Sequence, residues 1–262
     1  MTKLFSSAVP VLLVGAPGVG KTAHVQAGFD HSEIVLTSTL VEEDIAGLPY
    51  REGDYDYRTI PGIFRRLEDA DKAGKTTVLF LDELDKARRA VADTLLTLVA
   101  SRRVGSATLP TRTCIVAAAN PPEFGGGDGI SDAMISRFSV VDYVPDVVRW
   151  ADWADDKFKG PAARRVTEAI RSGEMPIFDM VGEGLHRRIT TPRTITMALH
   201  ALEEFGGSSD SFDGIARGLL TPATASQMLH FVQSRDNEIL TAASAVARTA
   251  ANIKKSSSVL RL

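Results

Sequence analysis

Eight consecutive residues carry the first chemical signal. Gly15-Ala16-Pro17-Gly18-Val19-Gly20-Lys21-Thr22 satisfies the pattern G-x-x-x-x-G-K-[ST] at every fixed position. Such a stretch suits a phosphate chain. Its glycines let the backbone wrap an anion and aim N–H groups at it, Lys21 can reach the β- and γ-phosphates of ATP, and Thr22 offers a hydroxyl to Mg²⁺. The second signal is the acid pair Asp82-Glu83. Asp82 suits the Mg²⁺ coordination sphere, mostly through water, because this ion keeps most of its waters. Glu83 suits the task of orienting and polarising a water that attacks the γ-phosphate. The third is Asn120, whose amide could hydrogen-bond that water or the γ-phosphate. An Asx turn before Pro121-Pro122 would equally account for it.

These side chains need a scaffold that brings them to one place, and the apolar pattern predicts one. The run from Val9 to Val14 reads as a buried strand, and Lys21 to Gly28 as the first turns of a helix. Thr77-Val78-Leu79-Phe80-Leu81 reads as a central strand buried on both faces of a parallel sheet, with the acid pair at its C-terminal end, where open α/β sheets place ligands. Thr113 to Ala119 gives another buried strand with Asn120 at its tip, level with Glu83 if the two strands are neighbours. Ile34 to Thr37 is expected as a further strand, and Ala87 to Val99 as a helix. Tyr50 to Arg58 suits a hairpin turning at Gly53-Asp54; its tyrosines read as cross-strand packing, with substrate contact as the other reading. Ile60-Pro61-Gly62-Ile63-Phe64 leads into an amphipathic helix, and Ser131 to Phe138 into a capped helix that ends in Arg137 before a strand from Ser139 to Tyr143.

At Pro145 the alternating pattern stops. The expected architecture is therefore an α/β unit over residues 1–144, a parallel sheet flanked by helices, followed by a small all-α unit over 145–262. Helices are expected over 146–153, 162–172, 193–205, 224–232 and 237–253, with a glycine-rich mobile run from Phe124 to Gly129 and a frayed tail from Ser256. Thr191-Pro192-Arg193 starts one helix, with Thr191 as N-cap and Pro192 at the first helical position. Arg193 then opposes the helix dipole, which points to an anion nearby.

Composition narrows the classes. With 44% hydrophobic and 24% charged residues, a core can form without disulfides, and the single Cys114 reads as a buried thiol. A net charge of −3 argues against nucleic acid as a general partner, although a basic ring pore could form from Arg102, Arg103 and Arg112. His24 and His31 have no partners at metal-ligand spacing. No apolar run approaches bilayer length and the N-terminus lacks a secretory pattern, so a cytoplasmic location is expected.

Taken together, these motifs resemble the AAA+ ATPases, and within them the MoxR-like group, whose relatives include the magnesium chelatase ATPase subunit. Gly15 to Thr22 corresponds to Walker A and Val78 to Glu83 to Walker B; Asn120 matches sensor 1, and Arg193, in Thr191-Pro192-Arg193, matches the Ser-Pro-Arg of sensor 2. Arg137, in Ser136-Arg137-Phe138, matches the arginine finger, with Ser in place of the usual Asp. The segment near 44–64 resembles the helix-2 insert, with Pro61-Gly62 exchanged relative to the family's Gly-Pro. The resemblance implies a P-loop fold with a helical lid, and ATP and Mg²⁺ as cofactors. It also implies a ring of identical subunits, typically a hexamer, in which Arg137 acts on the neighbour's ATP. It further implies chaperone-like remodelling of a protein partner, often through an adaptor with a von Willebrand A domain, which here would be a separate protein. Two other classes stand beside it: an ATP-gated assembly module with little turnover, which Glu83 argues against, and a nucleic-acid motor subunit. A small-molecule kinase fits least, because Glu83, Asn120, Arg137 and Arg193 together suit water as acceptor.

Overall fold

The computed structural model describes residues 5–124 and 129–233. The glycine-rich run at 125–128, the helix expected over 237–253 and the tail lie outside them. The chain divides into two compact units, 1–144 and 145–262.

The first unit is built on a five-stranded parallel sheet. In chain order its elements are β1 (Val11–Val14), α1 (Lys21–Gln26), β2 (His31–Leu36), α2 (Glu42–Ala46), β3 (Pro49–Glu52), β4 (Tyr55–Arg58), α3 (Gly62–Lys72) and β5 (Thr77–Asp82). There follow α4 (Arg89–Ser101), β6 (Arg103–Val104), β7 (Ala107–Thr108), β8 (Cys114–Ala119), α5 (Asp132–Ile135) and β9 (Ser139–Asp142). The strand order is β2-β5-β8-β1-β9, all neighbours parallel. β5 and β8 lie inside the sheet, which is why they read as unbroken apolar runs. Side chains alternate between its faces. Leu79 and Leu81 join Leu12, Ile115 and the apolar residues of α3 and α4 on one side. Val78 and Phe80 join Val11, Leu13, Val116 and Val25 of α1 on the other. Cys114 is buried here, and burial pushes its thiol up.

Several boundaries differ from the sequence reading. β1 starts at Val11, not Val9, because Pro10 has no N–H for the ladder. β2 starts at His31, not Ile34, and pairs with β5 from His31 opposite Thr77 to Leu36 opposite Asp82. As an edge strand it buries only alternate residues, so polar Glu33 points in while Ile34 is 40% exposed. α4 starts at Arg89, two positions late, and continues through Ser101. The β6–β7 hairpin has strands of two residues each, too short to leave a period.

Glu33 ties β2 to α3. Its carboxylate accepts two hydrogen bonds from Arg66, at 2.8 and 2.7 Å, and His31 Nε2 lies 2.9 Å away. Burial pushes the carboxyl up, but the hydrogen bonds and charge of Arg66, with His31 behind them, outweigh it and hold Glu33 below the ordinary glutamate range. A lowered carboxylate stabilises the fold above its unfolded value and loses that contribution as pH falls through the folded one. Glu33→Gln is therefore expected to lower the urea midpoint at pH 7 and to lose that effect progressively as pH falls below the ordinary glutamate range, as paired urea titrations would read.

Between α2 and α3, β3 and β4 form an exposed hairpin that turns at Gly53-Asp54, with Tyr50 stacked on Tyr57 at 5.6 Å across the strands.

The second unit is helical: α6 (Val147–Lys157), α7 (Pro161–Ser172), α8 (Pro192–Phe205), α9 (Asp210–Leu219) and a helical run over 222–233. Phe158, Val166, Ile195, Leu199, Phe212 and Met228 are among its core residues. It also holds an antiparallel ribbon, β10 (Asp179–Val181) against β11 (Arg188–Thr190), which the apolar pattern does not announce. α9 also escapes the pattern, because Gly214 and Gly218 lower its helix propensity. Its signals are the Ser209 cap, which accepts from Phe212 N, and the buried pair Phe212 and Ala216 one turn apart.

Candidate nucleotide site

At the C-terminal ends of β1, β5 and β8 the three sequence signals meet. Gly15 leaves β1 by donating its N–H to Ala119 O of β8 at 3.2 Å. A Cβ there would sit 2.4 Å from Tyr143 O, so only glycine lets the loop pass. Gly20 caps α1 with φ 99° and nothing within 4 Å of where its Cβ would stand, a left-handed residue facing open space.

Lys21 is 8% exposed, folded back over the loop it belongs to. Its ammonium donates to Gly15 O at 2.5 Å, Ala16 O at 3.1 Å and Asn120 Oδ1 at 3.0 Å. Thr22 donates its hydroxyl to Asp82 Oδ2 at 2.8 Å. Asp82 Oδ1 in turn accepts the Glu83 N–H at 3.0 Å. Thus Gly15, Ala16, Lys21, Thr22, Asp82, Glu83 and Asn120 form one connected group, with Pro17, Gly18 and Val19 closing the loop above α1.

Glu83 departs from regular backbone: at φ 55°, ψ 43° it is a left-handed non-glycine residue. That conformation costs about 1–2 kcal/mol and persists only where the surroundings impose it. Here they do. Thr37, fully buried, donates to Asp82 O at 3.0 Å and to Glu83 O at 2.7 Å. The Glu83 carboxylate accepts from Ser38 Oγ at 3.0 Å and from Lys86 Nζ at 3.0 Å. Asp85, 8% exposed, accepts the Asn120 N–H at 3.1 Å and so links the end of β5 to the end of β8.

Thr37, Ser38, Asp85 and Lys86 are the residues that sequence reasoning missed. The signal, a Thr-Ser-Thr run at the end of a strand, has meaning only once β2 is known to lie beside β5.

Other residues stand apart. Arg137 lies between α5 and β9, and β9 starts opposite Val11, at the end of β1 away from Gly15. Its guanidinium donates to Ala133 O and Ser136 Oγ of its own turn and is exposed. Arg193 is exposed in the first turn of α8, in the second unit, where Thr191 caps Thr194 N at 3.2 Å. Of the three arginines in the expected basic pore, Arg102 is half-buried and donates to Ser7 O, Pro110 O and Thr113 O, Arg112 is bound to the side chain and carbonyl of Asp71, and Arg103 is exposed. His24 packs edge-on to Phe5 and Tyr143. Among the described residues no group of three His, Cys, Asp or Glu side chains could hold a metal, and no helix is long and apolar enough to cross a membrane.

The donor set fits a magnesium nucleotide. A loop of backbone N–H groups with an ammonium over it suits phosphate oxygens. Thr22 and Asp82 put two hard oxygen donors side by side, the number Mg²⁺ takes from protein when water and phosphate complete its octahedron.

Comparison with known proteins adds the family relation. Residues 10–138 match the AAA domain of the dynein-related subfamily. No curated protein matches the chain. Solved structures of RuvB from Thermotoga maritima are similar in outline. One point variant is 17% identical with a TM-score of 0.46, covering 85% of this chain and 62% of that one. The structure described as the Holliday junction branch migration motor is 16% identical with a TM-score of 0.44, covering 85% and 61%. The chain spans about three fifths of the length of those structures. With its P-loop, five-stranded parallel sheet and flanking helices, the stretch from 10 to 138 has the AAA+ fold and is similar to the dynein-related AAA domains.

Proposed function

We propose that this chain is a Mg²⁺-dependent ATPase that works as a ring of identical subunits and uses hydrolysis to remodel or activate a protein partner. The observation that carries the reading is the connected group of Lys21, Thr22, Asp82, Glu83 and Asn120 at one end of the sheet. When bound, ATP would supply the γ-phosphoryl group and Mg²⁺ would supply positive charge against the charge that develops on it. Gly15 to Thr22 hold the phosphates, Thr22 and Asp82 hold the metal, largely through water, and Lys21 moves from carbonyl oxygens to phosphate oxygens of greater charge. Glu83 orients the attacking water and takes its proton, and Asn120 fixes the position of that water or of the γ-phosphate.

In this reading residues 1–144 are the nucleotide-binding domain, with an insert near 44–64, residues 145–262 are a helical lid, and Arg193 is its sensor 2 residue. Arg137, directed away from its own chain's loop, serves the neighbour's site. The MoxR-like assignment, a cytoplasmic location, a hexameric ring and a separate von Willebrand A-domain adaptor belong to the same proposal. A nucleic-acid motor is the less favoured reading, because Arg102 already donates to Thr113 O and Arg112 is paired with Asp71.

The test is specific ATPase activity against protein concentration with Mg²⁺, paired with mass by light scattering. Activity that rises as a large ring forms supports the motor. ATP-dependent assembly without turnover moves the chain to a gated module. Hydrolysis by a monomer, unchanged by Arg137→Ala, removes the in-trans site.

A further inference from the structure

β8 outruns its neighbour on one side. It pairs with β5 from Val78 opposite Cys114 to Leu81 opposite Ala117, whereas its pairing with β1 runs on to Val14 opposite Ala119. Ala119 turns its carbonyl to β1, where the Gly15 N–H meets it at 3.2 Å. Successive backbone groups of a strand point to opposite neighbours, so the N–H of Asn120 faces the β5 side. There β5 has already left the ladder, in the left-handed turn at Glu83. The acceptor that meets this N–H is a side chain: Asp85 Oδ1, at 3.1 Å, on a residue 8% exposed. A carboxylate stands where the next strand's carbonyl would be, and an ionised acceptor makes the stronger bond. Pro121 and Pro122 follow and carry no N–H, so Asn120 brings the last donor by which this strand end can be tied to β5.

The turn that carries Asp85 does not use its carboxylate. It is closed by the Lys86 N–H on Glu83 O at 2.9 Å and the Ala87 N–H on Leu84 O at 3.3 Å. On the other side, the Asn120 amide oxygen accepts from Lys21 Nζ at 3.0 Å. We propose that Asp85 is a positioning residue: by accepting the Asn120 N–H, its carboxylate fixes the strand end from which the Asn120 amide reaches the γ-phosphate or the attacking water. It acts through the backbone of Asn120. The inference rests on the ATPase reading above.

Asp85→Ala removes the acceptor, and Asp85→Asn keeps one without the charge. Asp85→Ala is expected to lower kcat at least about tenfold while the affinity for a fluorescent ADP analogue stays within about threefold, because Gly15 O and Ala16 O still hold Lys21. Asp85→Asn is expected to stay within about threefold of wild type in both. A double-variant cycle separates positioning from folding. Added to Asn120→Ala, which itself lowers kcat, Asp85→Ala should cost less than about twofold more, since the amide it positions is already gone. Independently of turnover, exchange at the Asn120 amide, read from peptides spanning 118–122, should be at least about tenfold faster in Asp85→Ala while β1 keeps its wild-type rate. The assignment alone is overturned if Glu83→Gln abolishes turnover while Asp85→Ala keeps both wild-type kcat and wild-type exchange. Losses that multiply in the double variant, or loss of nucleotide affinity together with kcat, make Asp85 a folding residue and also overturn it. A wild type without Glu83-dependent hydrolysis overturns the ATPase reading itself, and the inference with it.

Discussion

Glu83→Gln is expected to lower ATP turnover by about 10²–10⁴-fold, the range lost when a positioned base is removed, while nucleotide affinity stays within about threefold. The reason lies in the division of labour within the site. In the proposed site Lys21, Thr22 and the loop backbone would meet the phosphates; Lys21 is held by Gly15 O and Thr22 by Asp82, and neither of these contacts uses the Glu83 carboxylate. Glutamine keeps the size of the side chain and one acceptor for Ser38, but it has no charge for Lys86 and cannot take a proton from water. Single-turnover hydrolysis with the labelled nucleotide, alongside equilibrium binding, separates the two effects. Equal losses in both would show Glu83 to be structural. If the variant binds and stalls, it becomes a stable ATP-bound form with which to capture the partner.

Arg137→Ala is expected to reduce turnover by about 10³-fold or more, the worth of an arginine finger. Binding of ATP to its own subunit should be unchanged. Arg137 lies two residues before β9, at the end of the sheet opposite the phosphate loop, and so stands apart from the loop of its own chain. In a closed ring with head-to-tail contacts, each site takes Glu83 from one subunit and Arg137 from the next. That geometry makes a sharper prediction. Two inactive variants, Glu83→Gln and Arg137→Ala, when mixed at equal amounts and reassembled, should regain about a quarter of wild-type turnover, since random order completes that share of composite sites. No recovery, with mixed rings verified by mass, would place Arg137 outside the reaction.

The chemistry of the site was legible because it is carried by local pattern. The glycines and Lys21-Thr22 must be contiguous to wrap a phosphate, so their spacing is written along the chain. β5 and β8, buried on both faces, show as unbroken apolar runs. An edge strand such as β2 shows only half its face, and its start was misplaced by three residues. The two-residue strands of β6 and β7 and the glycine-bearing α9 fall below what periodicity can register.

What the chain alone determined is the identity of the candidate groups, Lys21, Thr22, Asp82, Glu83 and Asn120, each at the end of a predictable element. The tertiary structure decided their coupling. Strand order sets Thr37 and Ser38 beside Glu83, brings Asp85 under Asn120, and gives Lys86 a carboxylate to hold rather than a surface to decorate. It also gave Arg102 and Arg112 carbonyl and carboxylate partners. The physical reason is the range of the forces involved. Backbone propensity and apolar period act over a few residues and leave a trace in the sequence. The hydrogen bond from Thr37 to Glu83 joins residues far apart in the chain, and it exists only after β2 has paired with β5.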